Sequence, residues 1–148
     1  RRALPAAVSG IYTDSVTSDL IALSDDLLSL YTLRDVFSGG AHPNTFRETL
    51  NLVRDDSGWR PLAQPCEAAS HLGWACDEAR VRELVIDELS RAQAAWVVDG
   101  SVDASSEWLL DLFVMTPAGV RVIFDPYAVG PYAQGPFEVE LAWGDLGD

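Results

Sequence analysis

The sequence predicts an α+β domain made of antiparallel β-sheet hairpins with one main amphipathic helix packed on the sheet. Three observations carry this. Several runs combine apolar alternation with β-favouring residues, one segment repeats apolar residues at helical spacing, and strand-like runs resume after it.

The elements follow in chain order. Val16 to Ser24 holds Val16, Leu20, Ile21 and Leu23, and Asp25-Asp26 breaks the apolar pattern before Leu27 starts another, which reads as a hairpin. Leu28, Leu30, Val36 and Phe37, with Tyr31 and Thr32 between them, predict a long strand from Leu28 to Phe37. The run Ser38-Gly39-Gly40-Ala41-His42-Pro43-Asn44 interrupts it, and a double glycine suits a bulge or wide turn that needs positive φ. A third strand through Phe46, Leu50 and Leu52 leads to the turn Asp55-Asp56-Ser57-Gly58.

The helix is expected from Asp77 to Ala95, because Val81, Leu84, Val85, Leu89, Ala92 and Trp96 fall on one face. Asp77 is placed to cap its start and Asp99-Gly100 to end the segment. After the polar stretch 99–106, Glu107 to Met115 and Val120 to Phe124 read as a second hairpin around Thr116-Pro117-Ala118-Gly119. A last strand, Phe137 to Trp143, alternates Phe137, Val139 and Leu141 with Glu138 and Glu140.

A chain of 148 residues suits one domain, 1–148, with a substantial core. Ten arginines and no lysine against 23 acidic residues leave a net charge of −13. That excludes a nucleic-acid partner, which needs a basic surface, and favours association with basic ones. Without an apolar run long enough for a membrane span, none is expected here. The opening Arg1-Arg2-Ala3 is expected to mark a trimmed chain or a mature form. Cys66 and Cys76 are either two buried thiols or a disulfide; the bond would imply an oxidising compartment and contribute about 3 kcal/mol through loop closure.

Signals for chemistry are sparse. The two histidines, His42 and His71, belong to no metal-ligand pattern, so no metal is expected, and no nucleotide or other cofactor fingerprint occurs. Asp55-Asp56-Ser57-Gly58 lacks the downstream Glu of a calcium loop and stays a turn. Glu138 and Glu140 share a strand face, which is either a carboxylate pair or, more simply, a solvated face. No catalytic residue is assigned; a hydrolase using His42 is the enzymatic alternative.

The loop Asp125 to Pro136 differs, because three prolines and two glycines restrict its backbone while Tyr127 and Tyr132 supply rigid contact area. Its residues alone leave two readings open: a structural crossover with its tyrosines in the core, or a binding surface.

Taken in order, Ser38-Gly39-Gly40-Ala41-His42-Pro43-Asn44-Thr45, a helix, and Phe124-Asp125-Pro126-Tyr127-Ala128-Val129-Gly130-Pro131-Tyr132-Ala133-Gln134-Gly135-Pro136 resemble the RsiV-like extracytoplasmic domain family, over roughly Asp14 to Trp143. Related domains occur in a deacetylase and in many lipoproteins. The chain departs from the family pattern at Asp125, where Asn is usual, and across Trp59 to Cys76. The resemblance implies an extracytoplasmic location (periplasmic, lipoprotein or secreted) and a binding module for a basic protein such as a lysozyme-like muramidase. It implies a binding loop including Pro126, Tyr127, Pro131 and Tyr132, supported by Gly39, Gly40 and His42. Binding to cell-wall glycan (peptidoglycan) through exposed tyrosines is the alternative.

Overall fold

The computed structural model describes residues 12–39 and 42–147. Four antiparallel strands, β1 (Thr13–Leu23), β2 (Leu27–Phe37), β3 (Asn44–Asp55) and β4 (Gly58–Pro61), pair in chain order. Three helices follow: α1 (Pro65–His71), α2 (Glu78–Arg91) and the single turn α3 (Ala95–Val98). A second antiparallel sheet, again in chain order, comprises β5 (Phe113–Met115), β6 (Gly119–Phe124) and β7 (Phe137–Ala142). The fold is α+β, with two sheets and one main helix.

Side chains of the first sheet alternate between a buried and an exposed face, and both faces carry apolar residues. Leu27, Ser29, Asn51 and Val53 point into the protein, whereas Val16, Leu20, Phe46 and Leu50 on the opposite face are exposed. In the second sheet Phe113, Met115, Val120, Val122, Val139 and Leu141 share a core with Val81, Val85 and Leu89 of α2 and with Ala68 and Ala69 of α1. The sheets meet at β5. Ser29 and Asn51 are cross-strand partners, fully and almost fully buried. Ser29 Oγ donates to Asn51 Oδ1 (2.6 Å), Asn51 Nδ2 donates to the Phe113 carbonyl (2.7 Å), and Met115 N–H donates to Ser29 Oγ (3.0 Å). Residues two apart on a strand present their backbone groups to the same edge. Thus two side chains of the first sheet satisfy the edge of β5 that β6 leaves unpaired.

Several boundaries differ from the sequence expectation, each for a local reason. The helix stops at Arg91 instead of Ala95: Gln93 adopts φ 59°, and the bonds Ala94 N–H to Leu89 O and Gln93 N–H to Ser90 O close it as a Schellman motif. Ala92 is therefore exposed, and Trp96 reaches the core from α3 instead. Asp77 caps α2 as expected, accepting the Ala79 N–H at 2.9 Å. The expected strand Glu107 to Met115 is mostly a 3₁₀ turn over Glu107–Leu110, and only Phe113–Met115 pairs with β6. An apolar run of that length fits a buried turn as well as a strand. Strand β4 and helix α1 were absent from the expectation. β4 is a four-residue edge strand ending at Pro61, and α1 opens with Pro65 and is followed after its C-cap Leu72 by Gly73, whose φ is 81°.

Cys66 in α1 and Cys76 just before α2 form a disulfide with Cα atoms 5.3 Å apart, so the bonded alternative holds. Glu138 and Glu140 both face Arg121, at 3.6 Å and 2.7 Å. They form an ion-paired, solvated face. Among the described residues no helix is long and apolar enough to cross a membrane.

Replacing Asn51 by Ala leaves the Phe113 carbonyl without its donor and the Ser29 hydroxyl without its acceptor. The expected loss is about 2–4 kcal/mol, seen as a lower urea midpoint at unchanged slope. A loss below about 0.5 kcal/mol, the size of an ordinary surface change, would contradict this role.

Candidate binding site between the β2–β3 tip and the loop after β6

The loop 125–136 crosses from β6 to β7 and is held at both ends. At its start, Arg47 on β3 donates Nη1 to Asp125 Oδ1 (2.6 Å) and Nε to the Tyr31 hydroxyl (2.9 Å). Only 10% of the Arg47 side chain is exposed. Burial opposes its charge, but the bonds to Asp125 and Tyr31 outweigh it, and its pKa lies above the ordinary arginine value. Toward its end, Gln134 Oε1 accepts from Ala95 N–H (3.0 Å), and Gln134 Nε2 donates to the Gln93 carbonyl (2.9 Å). Between these, the carbonyl of buried Val129 accepts from Trp96 N–H at 3.0 Å. A Cβ at Gly130 would push the Gln134 amide out of these bonds.

Inside this frame, Asp125 to Ala128 closes a turn through Ala128 N–H to Asp125 O (2.9 Å). Pro126 at its second position and φ 70° at Tyr127, its third, mark a type II turn. That third position normally takes Gly or Asn, and a residue with a Cβ is strained there by about 1–2 kcal/mol. The strained residue is also 57% exposed.

Sequence-expected residues 42, 126, 127 and 132 converge here. The His42 ring stacks on Tyr132 with centroids 4.0 Å apart and planes 19° apart, and Tyr132 lies 5.5 Å from Tyr127. His42, Phe46, Pro126, Tyr127 and Tyr132 line a depression of about 100 Å³. Nδ1 of His42 lies 3.0 Å from the Pro43 carbonyl, and no carboxylate or hydroxyl bonds to the ring among the described residues. Pro131 is exposed and precedes the short 3₁₀ turn of Tyr132, outside the lining. Gly39 is exposed at the β2–β3 tip with φ 92°, while Gly40 lies outside the described residues. The disulfide lines neither this depression nor its neighbour.

That neighbour lies across Tyr127, a larger cleft of about 450 Å³ walled by Trp108, Asp111, Phe124 and Asp125. Sequence reasoning missed it because Trp108 was assigned to a strand. Its available signal was a lone Trp between the acidic residues Glu107 and Asp111.

Comparison with known proteins bears on this half of the chain. Residues 79–144, which include the loop and Trp108, match the family described as protein of unknown function (DUF3298). The fold is similar to that of a DUF3298 family member from Bacteroides fragilis NCTC 9343, at TM-score 0.59 and 20% identity, covering 89% of this chain and 51% of that one. It is also similar to a DUF3298 family protein from Pseudomonas aeruginosa PAO1, at TM-score 0.53 and 16% identity, covering 89% and 59%. The chain thus spans little more than half the length of either structure. The comparison with curated proteins gives no match.

Tyr127→Gly tests the strain. Relief of the positive φ should leave stability unchanged or raise it by up to about 1 kcal/mol in thermal or urea unfolding. A loss above about 1 kcal/mol would show that the Tyr127 ring holds the fold together.

Proposed function

We propose that this chain is an extracytoplasmic binding module that engages a basic protein partner through the aromatic surface built by His42, Tyr127 and Tyr132. One observation carries the reading: a strained backbone presents Tyr127 to solvent beside a stacked His42–Tyr132 pair, on a loop fixed at both ends. Backbone strain at an exposed aromatic is a cost that folding does not require, and such positions cluster at binding surfaces. A pre-ordered loop loses little entropy when a partner docks.

The net charge of −13 favours a basic partner, since a complementary field accelerates encounter with basic proteins. The Cys66–Cys76 disulfide supports placement in an oxidising compartment. A lysozyme-like muramidase, basic and cell-wall directed, is the partner that the RsiV-like sequence resemblance implies. A second reading, binding of cell-wall glycan, draws on the exposure of Tyr127, whose ring is free to stack on a sugar.

Calorimetric titration against a C-type lysozyme should show a saturable heat that weakens as salt is raised. Tyr132→Ala should reduce the affinity by about 2 kcal/mol or more. No heat and no inhibition of lysozyme would exclude this partner. Retention on insoluble peptidoglycan together with that null result would favour the glycan reading.

A further inference from the structure

The walls of the larger cleft are built with care that the core does not demand. Trp108 sits on the 3₁₀ turn Glu107–Leu110, where the next two residues, Leu109 and Leu110, are each 1% exposed and anchor the turn. Arg82 of α2 fixes the turn's entry, donating Nη1 to the Ser106 carbonyl (2.8 Å) and Nε to Glu78 (2.9 Å). The edge of Phe124 meets the Trp108 ring at 78°, with centroids 6.4 Å apart. Thus an indole that is 40% exposed stands on an anchored turn with Phe124 against its ring. Tyr127, whose backbone is set by the strained turn, lines the same cleft.

The two charged groups in the lining are both carboxylates. Asp125 binds Arg47 through Oδ1. The Asp111 side chain has no hydrogen-bond or ion-pair partner among the described residues. Aromatic walls with carboxylates suit a cation: a guanidinium stacks on indole or phenol faces while its N–H groups bond a carboxylate. Arginine fits better than lysine because its planar fork can do both at once. An anion is repelled, and a neutral sugar would use the aromatic faces without needing the carboxylates.

We infer that the cleft between Trp108 and Tyr127 receives one basic side chain, preferentially arginine, with Asp111 as its carboxylate partner. This rests on the binding-module reading for the source of that side chain, a basic protein, and gives that module a specificity pocket beside its aromatic surface.

The test is an NMR titration of the intact protein with blocked arginine, blocked lysine, blocked citrulline and chitotriose. Arginine should shift the Trp108 indole N–H and the Tyr127 and Ala128 amides saturably, and citrulline, its neutral isostere, should bind about tenfold more weakly or worse. Asp111→Asn, a change of one exposed side chain, should weaken arginine about fivefold or more with the rest of the spectrum unmoved. Trp108→Ala should abolish the shifts. Equal response to citrulline, response to the sugar alone, or an Asp111→Asn protein that binds arginine as before would overturn the inference. Arginine shifts with a silent lysozyme titration would remove that partner and keep the pocket. Lysozyme binding without arginine shifts would remove the pocket and keep the partner.

Discussion

The architecture depends on how the free edge of a three-residue strand is satisfied. β5 has β6 on one side and the face of another sheet on the other, where no strand pairs with it among the described residues. Ser29 and Asn51 meet that need as a directly opposed pair, each bonded to the other and to β5. A buried polar pair of this kind is stabilising only when every member is satisfied, and here each hydrogen bond has its partner. It also sets registry: a one-residue slip of β2 against β3 would put Ser29 and Asn51 on opposite faces of the sheet, break their bond and leave part of the β5 edge unsatisfied in the core.

Once β5 and β6 are registered on the first sheet, the chain leaving β6 emerges beside β3. Arg47 is four residues from Asn51 on the same face of β3, and there it meets Asp125. The loop is then led to the end of α2, where Gln134 satisfies the carbonyl of Gln93 and the N–H of Ala95. Gln93 and Tyr127 are the non-glycine residues with positive φ among those described. One lies under the loop's far anchor and the other at its crest. Strain is thus confined to where the loop is held and where it is exposed, and the packed interior compensates it.

The sequence made the last strand legible because period-two alternation survives where one face is wet, as in Phe137–Leu141, and β2 through its β-favouring residues, although its apolar Leu28 and Leu30 lie on the face opposite the buried Ser29. It made α2 legible through Val81, Val85 and Leu89. It could not end that helix, because nothing local marks Gln93 for a left-handed conformation that glycine usually takes; Gln134, some forty residues on, helps hold it. α1 was silent because seven residues with two buried alanines give no period. At the site, the two loop motifs were readable one by one, but the stack of His42 on Tyr132 is a tertiary fact joining segments ninety positions apart. Trp108 was hidden by its apolar neighbours, which are the residues that anchor it.

Anchored by Arg47 at one end and Gln134 at the other, the loop 125–136 is ordered before any partner arrives. Backbone ¹⁵N relaxation on the free protein measures this directly. Order parameters are expected at about 0.85 from Asp125 to Gly135, matching the strands, whereas values below about 0.6 at Tyr127 and Tyr132 would show a loop that orders only on binding.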